Sequence, residues 1–189
     1  MNSQEALSRL KDGNTRFVSG KPTATTQNQD ARQPLTQGQS PYAIILSCAD
    51  SRVAPELAFD TGLGELFVLR VAGNVANTST IASIEYAVAH LGTKLIVSMG
   101  HESCGAVGAA VAGGDNGPNL NKLVSYIQPS VDKLGKDAPV TDIIKENANH
   151  SIATLLEKSD IIKNAVKNDG LELVSGYYSL STGEVEFGF

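Results

Sequence analysis

Tryptophan is missing from this 189-residue chain, cysteine occurs only twice, and nowhere do lysines and arginines cluster. Each shortage excludes something. Fifteen Lys and Arg against 20 Asp and Glu leave a net charge of −5 with no basic patch, so nucleic acid and an anionic membrane surface are not expected partners. The apolar runs, Tyr42 to Cys48 and Leu95 to Met99, are strand-length and far short of the roughly 20 residues that span a bilayer. No membrane crossing is expected. Met1-Asn2-Ser3-Gln4-Glu5 lacks a basic region followed by an apolar one, which reads as a chain without a signal peptide, though one removed upstream would leave the same start. Two cysteines allow one disulfide at most, and a chain of this size needs no such staple. A reducing, cytoplasmic setting is the expectation. The length suits a single domain, 1–189, with residues 1–40 as an N-terminal helix and wrapping arm.

What is present alternates. Asn2 with Glu5 resembles a capping box and opens an amphipathic helix carrying Ala6, Leu7, Leu10, Phe17 and Val18. From Lys21 to Ser40 the chain is polar and aperiodic, an extended connector of the kind that wraps over something. Then come a strand from Tyr42 to Ser47, a short helix opened near Pro55, a strand from Leu66 to Val71, a helix from about Ser79 to Leu91 ending at Gly92, and a strand from Leu95 to Met99. Continuous apolar strands separated by helices imply an α/β fold with a mainly parallel sheet flanked by helices. Helical pattern runs from Ala106 to about Asn168, broken at Gly113 to Pro118 and interrupted near Pro129 and Ser159. Leu171 to Tyr178 and Glu184 to Phe187 read as a C-terminal antiparallel strand or hairpin.

Both cysteines stand where a buried strand runs out into a loop, in Cys48-Ala49-Asp50-Ser51-Arg52 and in His101-Glu102-Ser103-Cys104-Gly105. Open α/β sheets bind ligands beyond the carboxyl ends of their strands, so the two motifs can meet. Taken singly, each cysteine reads as an inert core residue, and Asp50 as the cap of a turn. Together, two thiolates and an imidazole make a three-ligand zinc set, the number typical of a catalytic rather than a structural zinc. If strand geometry persists past Cys48, then Cys48, Asp50 and Arg52 point to one side. A helix starting after Cys104 would favour its thiolate. The Arg52 fork would keep Asp50 ionised beside the metal. Asp50 is then either a fourth ligand or the acceptor of a hydrogen bond from a zinc-bound hydroxide. Two thiolates formally neutralise zinc, so its water should be less acidified than on three imidazoles, and activity is expected to rise with pH.

The pattern Cys-x-Asp-x-Arg followed by His-x-x-Cys resembles the β-class carbonic anhydrases. So do Gly13 to Phe17, Pro55-Glu56-Leu57, Phe67 to Asn74, Ser83 to Ala87 and Gly100 to Ala106. The resemblance implies reversible hydration of CO2 to bicarbonate and a proton by attack of zinc-bound hydroxide. Zinc would be held by Cys48, His101 and Cys104, with Asp50 and Arg52 as a gating dyad. It implies a substrate pocket lined by Gln39, Phe67, Tyr86 and Gly105, partly from a neighbouring subunit, and a homodimer that can pair into a homotetramer, its N-terminal helical arm packing on the partner. Family members that bicarbonate shuts rely on a Trp shortly before the first Cys, where this chain has Ile45, so control by that route is not expected. Arg70 and Tyr178 resemble other parts of that pocket and also suit structural roles. On the helix from Ser79, Ile81, Ile84, Val88 and Leu91 form a stripe for the sheet, whereas Ala82, Tyr86 and His90 form a second row that asks for a second burial. His90 is a candidate proton carrier, and His150 reads as a surface residue.

Two competing functions follow. The same zinc site could hydrolyse COS or CS2, which the motifs do not separate from CO2. A non-catalytic zinc or bicarbonate-sensing module would have lost a ligand or the Asp50–Arg52 pair, and all are present.

Overall fold

Asn2 Oδ1 accepts the Glu5 N–H while Glu5 Oε2 accepts the Asn2 N–H, so helix α1 (Ser3–Val18) starts with the expected reciprocal cap. In this computed structural model, which describes residues 1–24 and 28–189, α1 lays Ala6, Leu10, Gly13 and Asn14 on its own chain. Asn14 Nδ2 donates to the carbonyls of Ala58 (3.0 Å) and Gly183 (2.8 Å), and its Oδ1 accepts from Val185 N–H (2.9 Å). The buried face of α1 is therefore spent within its own subunit, which leaves the outer face for the partner packing that was expected. Residues 25–27 of the wrapping arm lie outside the described residues. Beyond them stands a helix that was not expected, α2 (Gln29–Leu35), started by Asn28 Oδ1 accepting from Ala31 N–H. It buries nothing, so no apolar periodicity could announce it.

The sheet has the order β2-β1-β3-β4-β5. Strands β1 (Ala43–Ser47), β2 (Leu66–Arg70), β3 (Leu95–His101) and β4 (Glu172–Tyr178) are parallel, and β5 (Val185–Phe187) is antiparallel to β4. Alternation along β1 divides the core. Ala43 and Ile45 pack with Val97, Met99, Phe59 and Leu10 under α1. Ile44 and Leu46 pack with Ile96 against Ile81, Ile84 and Ala87 of α4 (Thr78–Leu91) and against Leu155 and Ile162. A third cluster caps the carboxyl ends of β1 and β3, and it contains both cysteines.

That cap is built by α5 (Gly105–Ala112), α6 (Pro118–Ser125), α7 (Gln128–Leu134) and α8 (Val140–Lys158), with α9 (Asp160–Asn168) leading back to β4. The short α3 (Pro55–Ala58) begins at the expected proline. The expected interruption near Pro129 is present at 126–127, with Pro129 in the first turn of α7, a place where its missing N–H costs nothing. The unexpected break is 135–139, between α7 and α8. Gly100 lets α8 close on β3: a Cβ there would lie 2.8 Å from Ile144 Cγ2 and 3.2 Å from the Ile144 carbonyl oxygen.

Candidate metal centre

β1 ends at Ser47, so Cys48 is the first residue beyond the strand. The chain then turns, Val53 N–H bonding the Asp50 carbonyl at 3.0 Å, where continued strand geometry was expected. The turn itself pairs the dyad. Asp50 Oδ1 accepts from the backbone N–H of Arg52 (2.9 Å) and from Arg52 Nε (3.0 Å), while Oδ2 accepts from Nη2 (2.7 Å). The Arg52 side-chain bonds hold Asp50 well below the usual carboxylate range, against the opposing effect of burial. Arg70, at the end of β2, fixes the turn from outside: Nε donates to the Cys48 carbonyl (3.1 Å) and Nη2 to the Asp50 carbonyl (2.5 Å).

The second half comes from β3, which runs two residues further than expected and ends on His101. His101 is fully buried. Its Nδ1 lies 2.9 Å from the Glu102 carbonyl, which makes Nδ1 the protonated nitrogen and leaves the Nε2 lone pair free. Glu102 is itself anchored, its carboxylate accepting from Ser179 Oγ (2.9 Å) and Ser181 N–H (3.0 Å). Ser103 turns the chain in the left-handed region (φ 56°), and Cys104 becomes the N-cap of α5.

One ligand atom from each of Cys48, His101 and Cys104 lies within 4.8 Å of the others, and all three residues are buried. Asp50 stands just outside, with Oδ2 3.9 Å from His101 Nε2. The thiols are free and ionise as a pair. A hydrogen bond from Cys104 lowers the pKa of Cys48, helped by the Gly73 N–H; the same bond and burial push Cys104 up, with the Val107 and Ala106 amides of α5 working against that rise. Two buried thiols side by side disfavour a second negative charge unless a cation accompanies it. His101 Nε2 is buried with no hydrogen-bond partner among the described residues. An orphan lone pair facing two thiols is a poor apolar core and a good zinc cradle.

The expected pocket residues are spread over several elements. Gly105 directly follows Cys104 at the start of α5. Phe67 on β2 lies near Tyr86 (6.4 Å between ring centroids) and Tyr86 near His90 (5.2 Å), both pairs tilted. Tyr86 is 48% exposed. The second row of α4 is thus unburied within one chain. His90 lies near the end of α4, whose next residues, Leu91 to Lys94, line a cavity with Tyr42 and Glu65 at the strands' amino ends, away from Cys48. Gln39 lies in a surface groove of about 510 Å3 with Leu35 and Leu63. His150 is half-buried. Sequence reasoning left Arg70 and Tyr178 undecided and missed Gly73 and Glu102; Arg70 could have been found as a cation at a strand end beside the motif.

Known proteins of this pattern exist. The carbonic anhydrase family model matches residues 43–185. Carbonic anhydrase 2 of Mycobacterium tuberculosis is 40% identical over 188 residues, covering 96% of this chain and 91% of that protein. The carbonic anhydrase of Mycolicibacterium smegmatis is 40% identical over 192 residues, covering 98% and 93%. Among solved structures, one of two described as tetrameric β-carbonic anhydrases from Sordaria macrospora matches with a TM-score of 0.77 at 27% identity, over 97% of this chain and 95% of that one.

Proposed function

Because this chain belongs to the β-class carbonic anhydrases, zinc enzymes that interconvert CO2 and bicarbonate, we propose that Cys48, His101 and Cys104 hold its zinc and that Asp50 with Arg52 governs the fourth position. The observation that carries this is the buried, unpartnered His101 Nε2 beside two buried thiols. Zinc, when bound, acidifies water so that a nucleophile is available near neutral to alkaline pH. The rest falls to this chain's residues. Asp50, kept anionic by Arg52, offers Oδ2 at the mouth of the ligand cluster. There it accepts an O–H of the attacking water and aims the oxygen lone pair at the carbon of CO2. A carboxylate at that distance can also turn from Arg52 and close the fourth position in a resting state. The apolar surround of Val75, Val107 and Ile127 suits CO2 and keeps bulk water from competing.

The pocket needs a second chain in this reading. β2 is a sheet edge, and Tyr86, Leu57 (59% exposed) and Leu63 (46% exposed) are uncovered. Uncovered apolar side chains and an open edge favour a homodimer, in which Gln39, Phe67 and Tyr86 would line CO2 across the boundary and His90 would carry a proton there. Dimers would pair into tetramers, the state described for the Sordaria proteins. No helix among the described residues is long and apolar enough to cross a membrane. A reducing compartment such as the cytoplasm suits two thiols that must stay unpaired.

The test is metal analysis with stopped-flow CO2 hydration on wild type and Cys48→Ser. Wild type should hold about one zinc per chain, and the variant should lose most of both metal and activity. A Cys48→Ser protein with full zinc and full turnover would remove Cys48 from the ligand set.

A further inference from the structure

The amide of Gly73 points at the metal centre, its N–H donating to Cys48 Sγ at 3.4 Å. This N–H belongs to the Ala72–Gly73 peptide, and glycine's wide conformational freedom leaves its direction to be set by whatever fixes the backbone angles of the turn. Gly73 adopts a left-handed conformation (φ 71°), and a Cβ there would lie 2.7 Å from Ile127 Cδ1 and 3.2 Å from Ala106 Cβ. The turn is pressed onto the helical cap. Its carbonyls are held from behind by α8: Asn147 Nδ2 donates to the Gly73 carbonyl at 2.8 Å, and Ser151 Oγ to the Asn74 carbonyl at 2.9 Å.

Asn147 is fully buried, and its Oδ1 has no partner. It lies on the face of α8 that otherwise buries Ile143, Ile144, Ala148 and Leu155. A buried amide satisfied on one side only is unfavourable, and a leucine would suit the position better on packing alone. The one bond that Asn147 does make ends on the residue whose N–H reaches the thiol. We propose that Asn147 is a positioning residue for the metal centre: by holding the Gly73 carbonyl it fixes the backbone angles of Gly73 and so the direction of the Gly73 N–H, which holds Cys48 Sγ in place for the metal and draws charge from it. This rests on the reading of Cys48, His101 and Cys104 as the zinc ligands. Residues outside the ligand set that orient the ligands typically change metal affinity by about ten- to a hundredfold when removed.

The experiment compares wild type, Asn147→Leu and Ser151→Ala, each loaded with cobalt for spectroscopy and titrated with zinc against a chelator. Asn147→Leu should move the sulfur-to-cobalt charge-transfer band to longer wavelength and weaken zinc binding about tenfold. Ser151→Ala, which loosens the same turn one residue on, should melt lower with band and affinity unchanged. In wild type loaded with cadmium-113, the Gly73 amide proton should show a scalar coupling to the metal across the hydrogen bond, a readout that does not depend on any variant folding. A folded Asn147→Leu with wild-type band and affinity, a Ser151→Ala that shifts both equally, or no coupling at Gly73 overturns the proposal. A wild type without any sulfur-to-cobalt band would instead remove the metal-centre reading itself, and the proposal with it.

Discussion

Asp60 is where acid should first loosen the arm that leads to Gln39. Its side chain is 1% exposed, yet it sits among four donors. Oδ1 accepts from the N–H groups of Thr23 (3.0 Å) and Ala24 (2.8 Å); Oδ2 accepts from Arg16 Nε (2.5 Å) and Thr23 Oγ1 (3.0 Å), with Thr23 N–H also 2.9 Å away. Burial alone would raise its pKa. The bonds from Arg16, Thr23 and Ala24 together outweigh burial and hold it well below the usual carboxylate range.

Asp60→Asn keeps the shape and removes the charge, and one amide nitrogen must then face donors. Breaking a buried ion pair costs about 3–5 kcal/mol. Because the Arg16 side chain is 36% exposed and can rehydrate, the lower end applies, about 3 kcal/mol at neutral pH. A group whose folded pKa is depressed contributes fully above its unfolded pKa, roughly 3.9, and loses that contribution as pH falls toward the folded value. The gap between wild type and Asp60→Asn should therefore shrink by about 1.2 kcal/mol between pH 5 and pH 3. Urea unfolding of both proteins at equal concentration reads this, since metal loss in acid is common to both and cancels in the difference. A gap below about 1 kcal/mol at pH 7, or one unchanged between pH 5 and 3, would refute the reasoning.

Three further outcomes are expected. CO2 hydration should climb from acid to alkaline pH, because two thiolates cancel the zinc charge and leave its water harder to ionise than three imidazoles would; a flat stopped-flow profile contradicts this. Gly100→Ala should cost about 2 kcal/mol by pushing Ile144 and α8 off β3, and should weaken zinc binding through its neighbour His101; an unchanged melting temperature with unchanged chelator competition counts against the packing argument. Tyr86→Arg should raise the dimer dissociation constant at least about tenfold in sedimentation and lower activity in step, and a variant that stays dimeric and active places the interface elsewhere.

The parallel strands and the Cys48, His101 and Cys104 cluster were legible for one physical reason: a buried strand is mostly apolar, so a cysteine or histidine at its end is conspicuous. What could not be read had no such contrast. α2 buries nothing. The Asp50–Arg52 pair was anticipated through strand alternation, whereas the contact comes from a turn in which Asp50 bonds both the Arg52 amide and its guanidinium. On α8, Ile143, Ile144, Asn147, Ala148, Ser151, Thr154 and Leu155 form one buried face, but three of the seven are polar, and a pattern that counts polar residues as outward hides it. Asn147 and Ser151 are inside because the carbonyls of Gly73 and Asn74 are there to receive them.

The charge arithmetic of the centre explains why its surroundings can be so apolar. Cys48 and Cys104 sit in a cluster with Val75, Val107, Val124, Ile127, Val131, Ile143 and Ile144, a setting that opposes a second thiolate once the first has formed. With zinc held as proposed, a dication with two thiolates and a neutral imidazole would be formally uncharged, so the loaded centre could be buried in apolar surroundings. The charge that chemistry requires is displaced to the rim, where Asp50 and Arg52 are again a neutral pair and Arg52 remains 54% exposed. Metal removal therefore acts on more than the reaction. It returns an orphan imidazole and a proton-sharing thiol pair to the middle of the helical cap, and α5 to α8, which close over the strand ends, have less reason to stay closed than the sheet beneath them.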